Sequence, residues 1–127
     1  MQITLKLAAI YNILWGTWVV LLPTQFFHLV HMEPLNHPVV WQGMGMVIGV
    51  WGLGYWWASY DPVRHWPIVA IGFMGKILGP MGFIFHYIQG NISIGFGYTL
   101  ITNDLIWWLP FAMILRKVHL ETRWKLS

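Results

Sequence analysis

The chain reads as four long apolar runs separated by short polar punctuation. Nearly unbroken hydrophobic stretches cover residues 5–27, 39–60, 66–89 and 95–115. Each is close to the length of about 20 residues that a helix needs to cross a bilayer. Turn chemistry or charge follows every run: the stretch from Pro34 to Pro38, Asp61-Pro62, Gly90-Asn91, and then Arg116-Lys117. Apolar and polar positions do not alternate, so the strands of a lipid-facing barrel do not fit. Helices then remain as the way to satisfy the backbone in lipid. The pattern predicts an all-α membrane protein, a bundle of four transmembrane helices forming a single domain over residues 1–127.

Composition agrees. Of the 127 residues, 57% are hydrophobic and only 9% charged, against roughly a quarter charged in a soluble domain. A soluble body of this size exposes too much surface to hide that many apolar side chains, and an aromatic content of 17% does not suit a disordered chain. With no cysteine in the sequence, disulfides, thiol redox catalysis, iron–sulfur ligation and cysteine-based zinc sites are excluded.

The seven basic residues form no patch of the kind that binds nucleic acid. Six of them mark membrane topology. Lys6 lies at the start of the first span, Arg64 between the second and third, and Arg116, Lys117, Arg123 and Lys125 after the fourth. The other two loops carry no Lys or Arg, so both termini are expected on the cytoplasmic side. No small-residue cleavage site follows the first apolar run, which is read as an uncleaved anchor. Size and organisation suit a bacterial inner membrane.

Two ionisable residues lie deep inside spans. Lys76 is ten residues from Trp66, about 15 Å at the helical rise, and Asp104 is twelve from Arg116, about 18 Å. In antiparallel neighbours these depths match, near the midplane, and an ion pair between Lys76 and Asp104 is expected. Intramembrane charges are by default functional, although a pair that only fixes helix register is an equal alternative. Pro80, four residues after Lys76, removes the N–H that would bond the Lys76 carbonyl. Asn103 adjoins Asp104, and Trp107 and Trp108 follow on its helical face.

Tryptophans usually gather at the membrane interfaces. Trp56, Trp57, Trp66 and Trp41 fit that rule. Trp15, Trp18, Trp51, Trp107 and Trp108 fall nearer the middle, where they either pack the core or line a flat cavity for a quinone, an isoprenoid or another planar lipid. Gly45 and Gly49 in the second span, and Gly72, Gly75, Gly79 and Gly82 in the third, form stripes that let backbones approach, within the bundle or in a homodimer. Asn12 and Gln42 read as ordinary interhelical hydrogen-bonders. His28, His31 and His37 beside Glu33 suggest a metal or proton-sensing site, but without strict ligand spacing a solvated loop is the simpler reading. His86 lacks a facing histidine at matching depth, which disfavours haem.

Trp15-Gly16, then Pro23 and Phe26-Phe27, followed by a glycine-rich second span ending in Tyr60-Asp61-Pro62-Val63-Arg64, resembles the first half of DoxX-like small membrane proteins. The resemblance implies a four-helix inner-membrane protein, in some cases a subunit or partner of quinone-linked or oxidative-stress systems. Similar sequences carry an alkyl hydroperoxide reductase label, but a chain without cysteine is no thiol peroxidase of that kind.

The leading expectation is a buried Lys76–Asp104 site facing an aromatic cavity formed with Asn103, Trp107, Trp108, Trp15 and Trp51. It would bind a lipophilic ligand or serve as an accessory subunit of a membrane redox system. A small proton-coupled transporter acting as a homodimer, an intramembrane isomerase or reductase using Asp104 as acid–base, and a purely structural or assembly subunit are the alternatives. No catalytic set is assigned.

Overall fold

A computed structural model of the chain describes residues 1–125; the side chains of residues 124–127, Lys125 included, lie outside the described ones. Every regular element among the described residues is helical. Helix α1 spans Gln2–Leu21, a short α2 Gln25–Leu29, α3 Pro38–Tyr60 and α4 Trp66–Ile88. A 3₁₀ turn at Ile94–Phe96 leads into α5, Gly97–Leu100, a π-helical turn at Ile101–Leu105, and α6, Ile106–Lys125.

Three segments are long and apolar enough to cross a membrane: Gln2–Leu21, Trp66–Ile88 and Ile94–Arg123, with mean hydropathies of 1.4, 1.8 and 1.2. The chain is thus built as an integral membrane protein. Helix α3 has the length, 23 residues, but is not among these three. Its glycines, its tryptophans and Gln42 bring down its mean hydropathy.

Two boundaries differ from the sequence expectation. The first apolar run was expected to be one span over 5–27, yet α1 ends at Leu21 and the chain turns at Pro23 before α2. Proline has no N–H to continue the helix and pushes the preceding residue out of helical geometry. The last helix does not stop near residue 115 but continues to Lys125. Nothing after Leu115 breaks a helix, and Arg, Lys, Leu and Glu favour one.

Two helix ends share one termination device. At the end of α4, Gly90 has φ +76° and the Asn91 N–H reaches the His86 carbonyl at 2.9 Å. This six-to-one closure needs a left-handed residue, which glycine supplies without strain. After α2 the same closure runs from Met32 N–H to Phe27 O at 2.8 Å, with His31 at φ 56° in the left-handed position.

Helices α1 and α3 form the most extensive pairing in the molecule. Gly16 lies against Gly45 and Gly49, and a Cβ added at Gly16 would run into the Gly45 carbonyl. A Cβ at Gly52 would fall 2.8 Å from Ala9 O. The second-span glycines therefore build the bundle itself, by close backbone approach. Asn12 Nδ2 donates to Ile48 O at 3.3 Å and Gln42 Nε2 to Val20 O at 2.9 Å, which ties the same two helices.

Two apolar cores sit at opposite ends of the bundle. Toward the termini, Leu5, Ala8 and Ala9 of α1 meet Tyr55, Ala58 and Val69, and then Trp107, Phe111, Ile114 and Val118 of α6. At the other end Val19, Phe26, Phe27 and Trp41 pack with Trp15, Trp18 and Phe96. Trp41 stacks on Phe26 with centroids 5.6 Å apart and meets Trp15 edge-on at 5.6 Å. It is only 2% exposed. The expected place of Trp41 in an interfacial belt is thus corrected: α2 folds back over it and buries it.

Candidate functional site

Between the two cores the helices do not close. Helices α3 and α4 share the loop at residues 61–65 but make little contact beyond it. A cavity of about 600 Å³ occupies the space. Its walls are Asn12 and Trp15 of α1; Trp41, Met44, Ile48, Trp51 and Tyr55 of α3; Ile71, Gly72, Met74, Gly75, Lys76, Leu78 and Gly79 of α4; and Phe96, Thr99, Asn103 and Asp104. Trp41 and Tyr55 are fourteen residues apart on one helix, about 21 Å, so the cavity is long. Met44 on one side and Ile71, Met74 and Leu78 on the other line the cavity and remain exposed. The cavity therefore opens sideways between α3 and α4.

Its polar end lies where α4 meets the π turn. Lys76 is 5% exposed, and its Nζ donates to the Asn103 carbonyl at 2.7 Å. Three rings surround the ammonium: Tyr55 at 5.6 Å, Phe111 at 5.5 Å and Trp107 at 5.9 Å, centroid distances typical of cation–π contact. Among the described residues Lys76 forms no ion pair with Asp104, contrary to the sequence expectation. Equal depth brought the two helices' charges to one level, but the wider π turn directs the Asn103 backbone oxygen, and not the neighbouring carboxylate, at the ammonium.

The π turn creates these contacts. One extra residue per turn disturbs the helical ladder, and the carbonyls around it find side-chain donors. Asn103 O takes Lys76, and Thr102 O takes the Trp107 indole N–H at 2.9 Å. Tyr11 of α1 donates to Thr102 Oγ1 at 2.7 Å and also contacts Asn103 Oδ1. On the facing helix, the Lys76 carbonyl left open by Pro80 receives the Trp108 indole N–H at 2.8 Å. The two adjacent tryptophans were expected on the helical face of Asp104, with no partners assigned. One serves the π turn and the Lys76 cage, the other the break at Pro80.

The Asp104 side chain packs against α4, its Oδ2 only 2.7 Å from where a Cβ on Gly79 would stand. Likewise the Tyr55 ring lies over Gly72. The third-span glycines were expected to let backbones approach. Gly72 and Gly79 instead make room for side chains, while added Cβ atoms at Gly75 and Gly82 would meet nothing within 4 Å.

Of the expected site residues, Lys76, Asn103, Asp104, Trp15 and Trp51 line the one cavity, and Trp107 stands behind Lys76. Tyr11, Tyr55, Thr102 and Phe111 went unnoticed in the sequence. A mid-span tyrosine is the signal that was available, since a phenol in lipid needs a partner. At the far end of the cavity the Trp41 indole N–H is buried without a partner. His28, His31 and His37 are exposed, as is His86. Among the described residues no three His, Cys, Asp or Glu side chains gather as a metal would require.

The chain matches no family model, no curated protein and no solved structure at a significant level. The site's own geometry therefore carries the functional argument.

Proposed function

We propose that the chain is a four-span protein of the bacterial inner membrane whose cavity takes up a lipophilic ligand laterally from the bilayer. The observation that carries this reading is the long, aromatic cavity of about 600 Å³ with Lys76, Asn103 and Asp104 at one end. An apolar pocket with a few convergent polar groups is the usual form of a ligand site. The sideways gap between α3 and α4 suits a ligand that arrives within the membrane. A quinone, an isoprenoid or another flat lipid fits such walls, and an accessory role beside a membrane redox system is compatible with it.

Packing supports a fourth span. Helix α3 runs against α1 along its length, from Gly45 beside Gly16 to Gly52 beside Ala9. If α1 crosses the bilayer, α3 crosses with it. Both termini then lie on the side of Lys6, Arg64 and Arg116, the cytoplasmic one. Reporter fusions after residues 34, 91 and 125 check this: the first two should report the outer side and the last the cytoplasm.

The ligand reading is tested on protein purified in mild detergent, by absorbance spectrum and native mass spectrometry. A copurified lipophilic molecule is expected in the wild type and should be lost in Gly75→Phe, which fills the cavity where an added side chain meets no neighbour. A bare wild-type chain that also takes up no added lipophile would sink the reading in favour of an assembly subunit.

A further inference from the structure

We propose that the cavity selects amphiphiles bearing a protonated amine, and that the Asp104 carboxylate is the group that receives it. The inference rests on the lateral-ligand reading above and adds the chemical class of the ligand's head.

Asp104 lines the cavity with its carboxylate over Gly79. Among the described residues it accepts no hydrogen bond and forms no ion pair. A carboxylate taken out of water without donors is costly, so the site is incomplete as the chain alone builds it. Lys76 is the neighbouring cation, but its ammonium is engaged by the Asn103 carbonyl and by three rings. Turning it to Asp104 would break those contacts.

The donor that suits this carboxylate best is a charged one. A hydroxyl would bond the carboxylate but leave its charge without a contacting counter-ion. A carboxylic acid would be repelled by Asp104 and would find Lys76 already occupied. An ammonium meets the carboxylate directly and lies among aromatic walls, with Trp51 and Tyr55 lining the same space. The protein already holds one ammonium, that of Lys76, against rings in this region. Both heads can donate to the carboxylate, but only the ammonium adds a direct charge–charge attraction; net of the cost of desolvating the ammonium, that sets an expected preference of about tenfold.

Dimethyldodecylamine, dodecanol and dodecanoic acid share a chain length and differ in the head. Their binding to the full chain in phosphatidylcholine nanodiscs is read by quenching of tryptophan fluorescence, with Gly75→Phe as the blocked baseline. The amine should bind about tenfold more tightly than the alcohol and the acid most weakly. Asp104→Asn should remove the amine's advantage over the alcohol, while Asp104→Glu keeps the preference. Equal binding of the three probes by the wild type, or an amine preference that survives Asp104→Asn, overturns the proposal and leaves the cavity reading standing. Binding of no probe above the Gly75→Phe baseline overturns both. Should Asp104→Asn not fold, the wild-type ranking of the three heads still decides.

Discussion

The α1–α3 seam and the seam between α4 and the π turn solve the same problem in opposite ways. In the first, glycine lies on glycine and the backbones touch, with Gly16 pressed against Gly45 and Gly49. In the second, a glycine of α4 lies opposite a side chain, Asp104 over Gly79, just as Tyr55 of α3 lies over Gly72 further along α4. Without a hydrophobic force between helices in lipid, close packing closes a seam only when both faces are small. Where one face is small and the other bulky, the helices stand apart and polar contacts must hold them. The same residue type thus builds a closed wall on one side of the molecule and a cavity on the other.

The sharpest way to break the comparison is to add bulk where the backbones touch. Gly16→Val should destabilise the chain by about 3 kcal/mol, because its Cβ meets backbone that cannot move aside. Thermal unfolding in detergent measures it, and a wild-type midpoint would refute the glycine seam. Removing the ammonium from the other seam should cost less. Lys76→Met keeps the apolar stem and deprives the Asn103 carbonyl of its donor, an expected loss of about 2 kcal/mol by the same assay.

A subtler test concerns the break in α4. Trp108→Phe leaves the Lys76 carbonyl without a donor and should cost about 1 kcal/mol. In a Pro80→Ala background the helix supplies its own N–H to that carbonyl. The Trp108→Phe penalty should there largely vanish, and an unchanged penalty in the double-mutant cycle would show that the indole acts otherwise. The smallest effect is predicted at the unpartnered glycines. Gly82→Ala meets open space and should stabilise by up to about 0.5 kcal/mol through helix propensity; a clear loss of stability would mean that a second chain covers this face.

Much of the candidate site was legible before folding. The depth of Lys76 and Asp104 follows from the helical rise, and the open carbonyl at Lys76 from Pro80. The partner of each was not legible. The π turn at Ile101–Leu105 has no signature in composition, and it alone sends Asn103 O, and not the Asp104 carboxylate, to the ammonium. Tyr11 and Tyr55 escaped notice because a lone tyrosine in an apolar run looks like packing until the opposite helix is known.

By itself the sequence determined that the chain is helical and apolar enough to be membrane-borne, where the loops between its long helices fall, and which two charges lie deep. These are local or one-dimensional properties: run length, proline and glycine chemistry, and distance along a helix. Only the tertiary structure decided which glycines touch backbone and which receive a side chain, that Trp41 is buried under α2, and that Lys76 rests in an aromatic cage apart from Asp104. Those outcomes depend on helix rotation and on one π turn, and a run of apolar residues constrains neither, because in lipid every face of a helix is allowed to be hydrophobic.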